Sequence, residues 1–150
     1  MTALLTLGGG FLLAVVWMDL MFDVQALQGS RDQPLPEPAL ASISNYYRRV
    51  TTDAHPMNLL IGAVMIATVL GTVAALFRGD APLGWRVAAL ILSSLPIALA
   101  QRRVFPNAVR LGARSDTPER QSALARKIAR DHVACFAAML GFVAIQLYAG

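Results

Sequence analysis

Two histidines, a small set of acids and a few amides and arginines carry whatever chemistry this chain can do. His55 and His132 are its 2 imidazoles. Asp19 and Asp23 stand four positions apart, so on a helix they share a face. An imidazole beside a carboxylate can act as a general base, and a neighbouring arginine or amide can stabilise the oxyanion that develops. His55, His132, Asp19 and Asp23 are therefore the candidate catalytic residues, and Trp17, Asn58, Asn107, Arg110 and Arg130 the candidate substrate contacts. Two imidazoles and a carboxylate are also the ligand set of non-haem iron and of some zinc sites, which makes His55, His132 and Asp23 candidate metal ligands. No His-x-x-Glu-His stretch fixes that geometry, so the residues alone name no cofactor. His132 and Cys135 are three apart, yet Cys135 lies among Ala and Phe, where a thiol packs rather than reacts.

These residues need a frame, and the composition says of what kind. The chain has 150 residues, 56% hydrophobic and 15% charged. Soluble domains carry about 25% charge. The single cysteine excludes an intramolecular disulfide framework and a multi-cysteine zinc site. A net charge of +4 would suggest nucleic acid in a soluble protein. Here the aromatics do not interleave with the basic residues as a stacking platform requires, so nucleic acid is excluded as a partner. The lipid bilayer is the partner the composition implies, because cytoplasmic loops of membrane proteins collect Lys and Arg.

Four apolar stretches, at about 3–22, 57–77, 83–101 and 131–149, read as spans of one transmembrane domain. Residues 57–77 carry no charge, and roughly 20 apolar residues cross the hydrocarbon core. Pro56 suits the first turn of the second span. Asp53 or His55 can cap that turn, which sets an acid, an imidazole and an amide at its start. The first span lacks the basic n-region of a signal peptide and reads as retained. Its Gly8-Gly9-Gly10 triplet permits close helix contact, with a local break as the competing reading. Pro96 should bend the third span.

The connectors are expected to hold short interfacial helices. Residues 24–45, with prolines at 34, 36 and 38, begin as an extended piece. An amphipathic helix then runs from about Pro38 to Arg49, with Leu40, Ile43, Tyr46 and Tyr47 on one face and the tyrosines at headgroup level. Val104 to Leu111 reads as a second interfacial piece. Asp116, Thr117 and Pro118 mark a helix start that leads into the fourth span. The fold class is thus all-α: an integral membrane four-helix bundle with a short interfacial helix in each long cytoplasmic loop.

Eleven of the 13 basic residues fall in the two long connectors and their flanks, against Arg78 and Arg86 in the short one. The positive-inside rule then places both long loops in the cytoplasm and both termini outside it, in what reads as a bacterial inner membrane. That topology brings the candidate residues to one boundary. Asp19 sits about a turn inside it, where an acid is costly unless paired or wetted. Its structural alternative is an ion pair with Arg102, Arg103 or Arg130 that pins the bundle. The Arg102-Arg103 and Arg126-Lys127 pairs read first as topology and lipid-phosphate contacts.

Leu95-Pro96-Ile97, then Phe105-Pro106-Asn107-Ala108-Val109-Arg110-Leu111, and Ala129-Arg130-Asp131-His132 at the fourth span give the chain a further likeness. It resembles the anthrone-oxygenase-like family of small four-span membrane proteins. The stretch Trp17-Met18-Asp19-Leu20-Met21-Phe22-Asp23 departs from that pattern, lacking a glutamate-proline step. The resemblance implies a pocket for a flat hydrophobic molecule, with Asn107 and His132 as carried-over positions. The expected function is that of an oxidoreductase or oxygenase-like enzyme acting on a lipophilic small molecule at the cytoplasmic boundary. The alternatives are a proton-coupled small transporter and a non-catalytic accessory or assembly subunit, and self-association into a homo-oligomer is compatible with either. Nearly uncharged second and third spans weigh against transport.

Overall fold

The computed structural model describes residues 1–28, 30, 33–79 and 81–148; the side chain of His55 lies outside the described residues, as do Arg31 and Asp80. The described residues form α-helices α1 (Thr2–Leu27), α2 (Glu37–Arg48), α3 (His55–Arg78), α4 (Leu83–Leu99), α5 (Phe105–Ala113) and α6 (Pro118–Tyr148), and no strand. Four helical stretches, Thr2–Leu27, Pro56–Arg78, Leu83–Ala113 and Pro118–Tyr148, are long and apolar enough to cross a membrane. Their outer faces fit that medium. Leu4, Leu7, Ile66, Leu70 and Phe77 are between 62% and 83% exposed, which water would penalise and lipid does not.

α1 and α6 hold the centre. The inward positions of α6 run Gln121, Ala125, Ile128, His132, Cys135, Met139, Phe142 and Gln146, alternating steps of four and three. That 3.5-residue period makes a straight seam along one helix face. On α1 the same period passes through Leu5, Gly9, Leu12, Asp19, Asp23 and Ala26. The apolar window of α6 is 44% buried, against 11% to 17% for the other three. Glycines let the helices close. A Cβ on Gly9 would fall 2.8 Å from the Phe142 ring, and one on Gly8 2.6 Å from Thr68 Oγ1. The triplet therefore stays helical, and the break at Gly8-Gly9-Gly10 does not occur.

Several boundaries differ from expectation. α1 continues to Leu27, so residues 24–27 are its last turn rather than connector. α4 does not end near 101. It passes through Pro96 to Leu99, widens into a π-helical turn over Ala100–Val104, and continues as α5. Pro106 has no N–H, and its ring excludes the carbonyl four residues back. An N–H from Phe105 to the carbonyl of Ala100, five residues back, accommodates it. A second π-helical turn, Arg49–Asp53, links α2 to α3 just ahead of Pro56. There Thr51 Oγ1 donates to the Tyr47 carbonyl at 2.7 Å, Thr52 to that of Arg48, and Asn58 Nδ2 to that of Val50 at 2.6 Å. Gly79 ends α3 at φ 79, the left-handed conformation glycine adopts without strain.

α2 packs on the protein. Leu40, Ile43 and Tyr47 are buried with Ala108 and Leu111 of α5 and Ala125, Ile128 and Ala129 of α6. A Cβ on Gly112 would meet the Arg48 backbone nitrogen at 2.9 Å, so α2 and α5 touch backbone to backbone. Bidentate pairs hold the same end: Arg114 with Glu37 at 2.8 Å and Arg110 with Asp116 at 2.6 and 2.7 Å. These hydrogen bonds hold the carboxyls of Glu37 and Asp116 below their usual range. A second core of Leu5, Leu12, Ala89, Met139 and Phe142 fills the far half of the bundle.

Candidate functional site

Between the two cores the seam turns polar. Asp23 is fully buried. Its Oδ1 accepts from the Tyr47 hydroxyl at 2.6 Å, and its Oδ2 lies 2.6 Å from Nδ1 of His132. With Asp23 as acceptor, Nδ1 carries the hydrogen, an assignment made from the hydrogen-bond network. That leaves Nε2 on the far edge of the ring, 3.7 Å from Oδ2 of Asp19. This is longer than a hydrogen bond. Asp19 accepts from the Tyr46 hydroxyl at 2.5 Å. The result is a chain Tyr47–Asp23–His132–Asp19–Tyr46 across α1, α2 and α6.

The surroundings grade the two acids. The Asp19 side chain keeps 18% of its surface exposed, while that of Asp23 keeps none. Tyr46 stacks on Phe22 at 4.0 Å between centroids, and Tyr47 meets Tyr46 edge-on at 5.3 Å. Burial first, and then the neighbouring carboxylates, push both phenols far above their ordinary range, so both remain donors. Trp17 packs on Phe136, one turn from His132, at 5.8 Å. Trp17 is 57% exposed.

Of the expected catalytic residues, Asp19, Asp23 and His132 come together. The side chain of His55 lies outside the described residues, so its place in a shared site does too. Among the described residues no group of three or more His, Cys, Asp or Glu is placed to hold a metal ion. The expected substrate contacts are not gathered here. Asn58 caps the turn before α3. Arg110 is engaged by Asp116. Arg130 Nε donates to the Arg126 carbonyl at 3.2 Å. Among the described residues, the buried Nδ2 of Asn107 and Oδ2 of Asp131 have no hydrogen-bond partner. Asp131 pairs through Oδ1 with Arg103 at 2.9 Å, so α6 is clamped to the π-helical turn after α4. The structural alternative foreseen for Asp19, an ion pair with arginine, is taken instead by Asp131.

Tyr46 and Tyr47 are the members that sequence reasoning read otherwise. Their amphipathic spacing suggested headgroup anchors, yet their hydroxyls are bound to the two aspartates. The signal was the i, i+1 tyrosine pair on a helix whose apolar face needed a partner. Cys135 is a buried free thiol on the same seam. Compared with known proteins, the chain matches no family model, no curated protein and no solved structure.

Proposed function

We propose that this chain is a four-span membrane protein that performs proton-transfer chemistry on a lipophilic small molecule, with His132 as general base. One observation carries the reading: a fully buried carboxylate fixes Nδ1 of His132, so that Nε2 is presented toward a part-exposed Asp19. In that arrangement Nε2 takes a proton from a weakly acidic C–H or O–H of the substrate. The substrate keeps the electron pair as an enolate or phenolate anion, and the imidazolium sits between two carboxylates. Oxygenation of such an anion would take dioxygen as co-reactant, with the anion supplying the electrons. The resemblance to the anthrone-oxygenase-like family points the same way. On this reading the substrate approaches from the bilayer past Trp17 and Asp19. α2 and α5 cap the cytoplasmic boundary as interfacial helices, and both termini lie outside, in a bacterial inner membrane.

The experiment compares lipid-soluble extracts of cells making wild-type or His132→Asn protein, by untargeted mass spectrometry at matched expression. A compound consumed only with the wild type is expected. Identical extracts overturn the proposal.

A second reading has its own observation. Both oxygens of Asp23 are bonded, and the two cavities described below lie at the other end of the bundle. A saturated network of this kind can serve only to lock α2 onto α1 and α6, as in an accessory subunit. Proton transport is disfavoured, because Leu5, Leu12, Met139 and Phe142 close the bundle beyond the cluster.

A further inference from the structure

We propose that the end of the bundle opposite His132 binds the carboxylate of a single-chain amphiphile. A cavity of about 60 Å³ lies there among the N-terminal part of α1, the last turns of α3, the first turns of α4 and the end of α6. Leu5, Thr72, Trp85, Arg86 and Gln146 are among its lining residues. Among the described residues, one buried donor in this lining lacks a partner. Arg86 donates through Nη1 to the Leu76 carbonyl, which ties α4 to the end of α3, but among the described residues its buried Nε–H has no acceptor. Gln146, also in the lining, is 8% exposed. Buried donors left without acceptors are costly, and polar groups of this kind are normally satisfied. No Asp or Glu is among the described lining residues.

Charge selects the acceptor. The cavity has room for a few water-sized groups, enough for a carboxylate. A carboxylate offers lone pairs that suit one guanidinium and one amide donor together. Beyond it a groove of about 200 Å³ is lined by Trp85, Ala144, Ile145 and Tyr148. Trp85 and Ile145 border both spaces. The groove is mostly apolar and suits the first carbons of an alkyl chain. A charged head at one membrane boundary with a tail along the bundle is how a fatty acid already sits in a bilayer. This site is independent of the chemistry proposed for His132.

The test uses the full chain in phosphatidylcholine nanodiscs, with Trp17→Phe so that Trp85 alone reports. Titration with 2-bromododecanoate should quench Trp85 saturably. Arg86→Met should weaken that binding about tenfold or more, and Gln146→Leu by a smaller factor, as loss of charged and neutral hydrogen bonds implies. The neutral 2-bromododecanol should bind as weakly as dodecanoate binds to Arg86→Met. Linear quenching that is equal in wild type and both variants would mean partition into lipid only and would overturn the site. Displacement of the probe by equimolar acetate would overturn the amphiphile, leaving a site for a free small carboxylate. If Arg86→Met does not fold, Gln146→Leu and the ¹⁵N shift of the Arg86 Nε–H on adding dodecanoate decide: no weakening and no shift refute the proposal.

Discussion

Nδ1 of His132 lies 2.6 Å from Oδ2 of Asp23, a contact that joins α6 to α1 across 109 positions of the chain. Removing one partner of a buried hydrogen-bonded pair strands the other, at a cost of about 1–3 kcal/mol. Asp23→Leu should therefore lower stability in detergent by about that amount. Asp53→Leu, at an exposed site in the turn before α3, should stay within about 0.5 kcal/mol. Equal melting of the two variants would show that the Asp23–His132 contact contributes little.

The same carboxylate predicts an alkaline limb. Tyr47 donates to Asp23 from a site where burial and negative charge hold its phenol well above the ordinary value of 10.0. In the unfolded chain the proton leaves near 10.0, whereas in the folded chain it stays. Above that pH the unfolded state binds fewer protons, so stability falls as pH rises, and below it the contribution is complete. Tyr47→Phe should flatten that fall while lowering stability at pH 7 by about 1–3 kcal/mol. Chemical denaturation at pH 7, 9, 10 and 11 reads both effects. A slope unchanged by the substitution would assign the limb to other groups.

Neighbouring glycines of α1 should respond with opposite signs. A Cβ on Gly9 meets Phe142 and Val143 at 2.8 to 2.9 Å, while one on Gly10 meets nothing within 4 Å. Gly9→Ala should cost about 1–3 kcal/mol through overpacking. Gly10→Ala should be neutral or stabilise by roughly 0.5–1 kcal/mol, the helix-interior difference between the residues. Thermal unfolding of the two single variants is enough. The same sign for both would contradict the closeness of α1 to α6.

Much of this architecture was legible in the chain. The four apolar runs, the helix start at Pro118, and the spacing of Asp19 and Asp23 needed only hydropathy, capping and helix period. The convergence of Asp19, Asp23 and His132 followed from counting alternate span ends. The partners did not follow. An amphipathic face such as Leu40, Ile43 and Tyr47 looks the same whether it meets lipid headgroups or another helix, because both are apolar neighbours with a wet edge. The continuation of α4 into α5 was hidden for a related reason. Pro106 usually marks a helix start, and only the widened turn at Ala100–Val104 lets the helix pass it. The pairing of Arg110, expected as a substrate contact, with Asp116 was not legible, because Asp116 lies beyond a turn whose geometry, at Arg114 with φ 51, is not evident from residue types.

Orientation has a direct check. The eleven-to-two division of basic residues predicts a cytoplasmic loop around Ser115, with Gly79 and the C-terminus outside. Reporter fusions active only in the cytoplasm should be active near Ser115 and silent after Gly79. Activity at the C-terminus would reverse the assignment and move the His132 cluster to the outer boundary.

Asp19 and Asp23 should separate chemistry from scaffolding. Both lie on the α1 seam, but Asp23 is sealed and bonded at both oxygens, while Asp19 is part-exposed and 3.7 Å from Nε2 of His132. Asp19→Asn keeps an oxygen for the Tyr46 hydroxyl, so its stability loss should be under about 1 kcal/mol, within the range of one neutral hydrogen bond. If the cluster moves protons, that variant should nonetheless lose conversion of the lipid-soluble compound, and Asp19→Asn combined with His132→Asn should be no worse than either alone, since parts of one catalytic unit are not additive. If the cluster is only a lock between α1, α2 and α6, the extract should not change and the two substitutions should act only on melting. Melting and extract composition measured on the same four proteins separate the outcomes, because Asp19→Asn is the one change expected to leave the fold intact while disabling the chemistry.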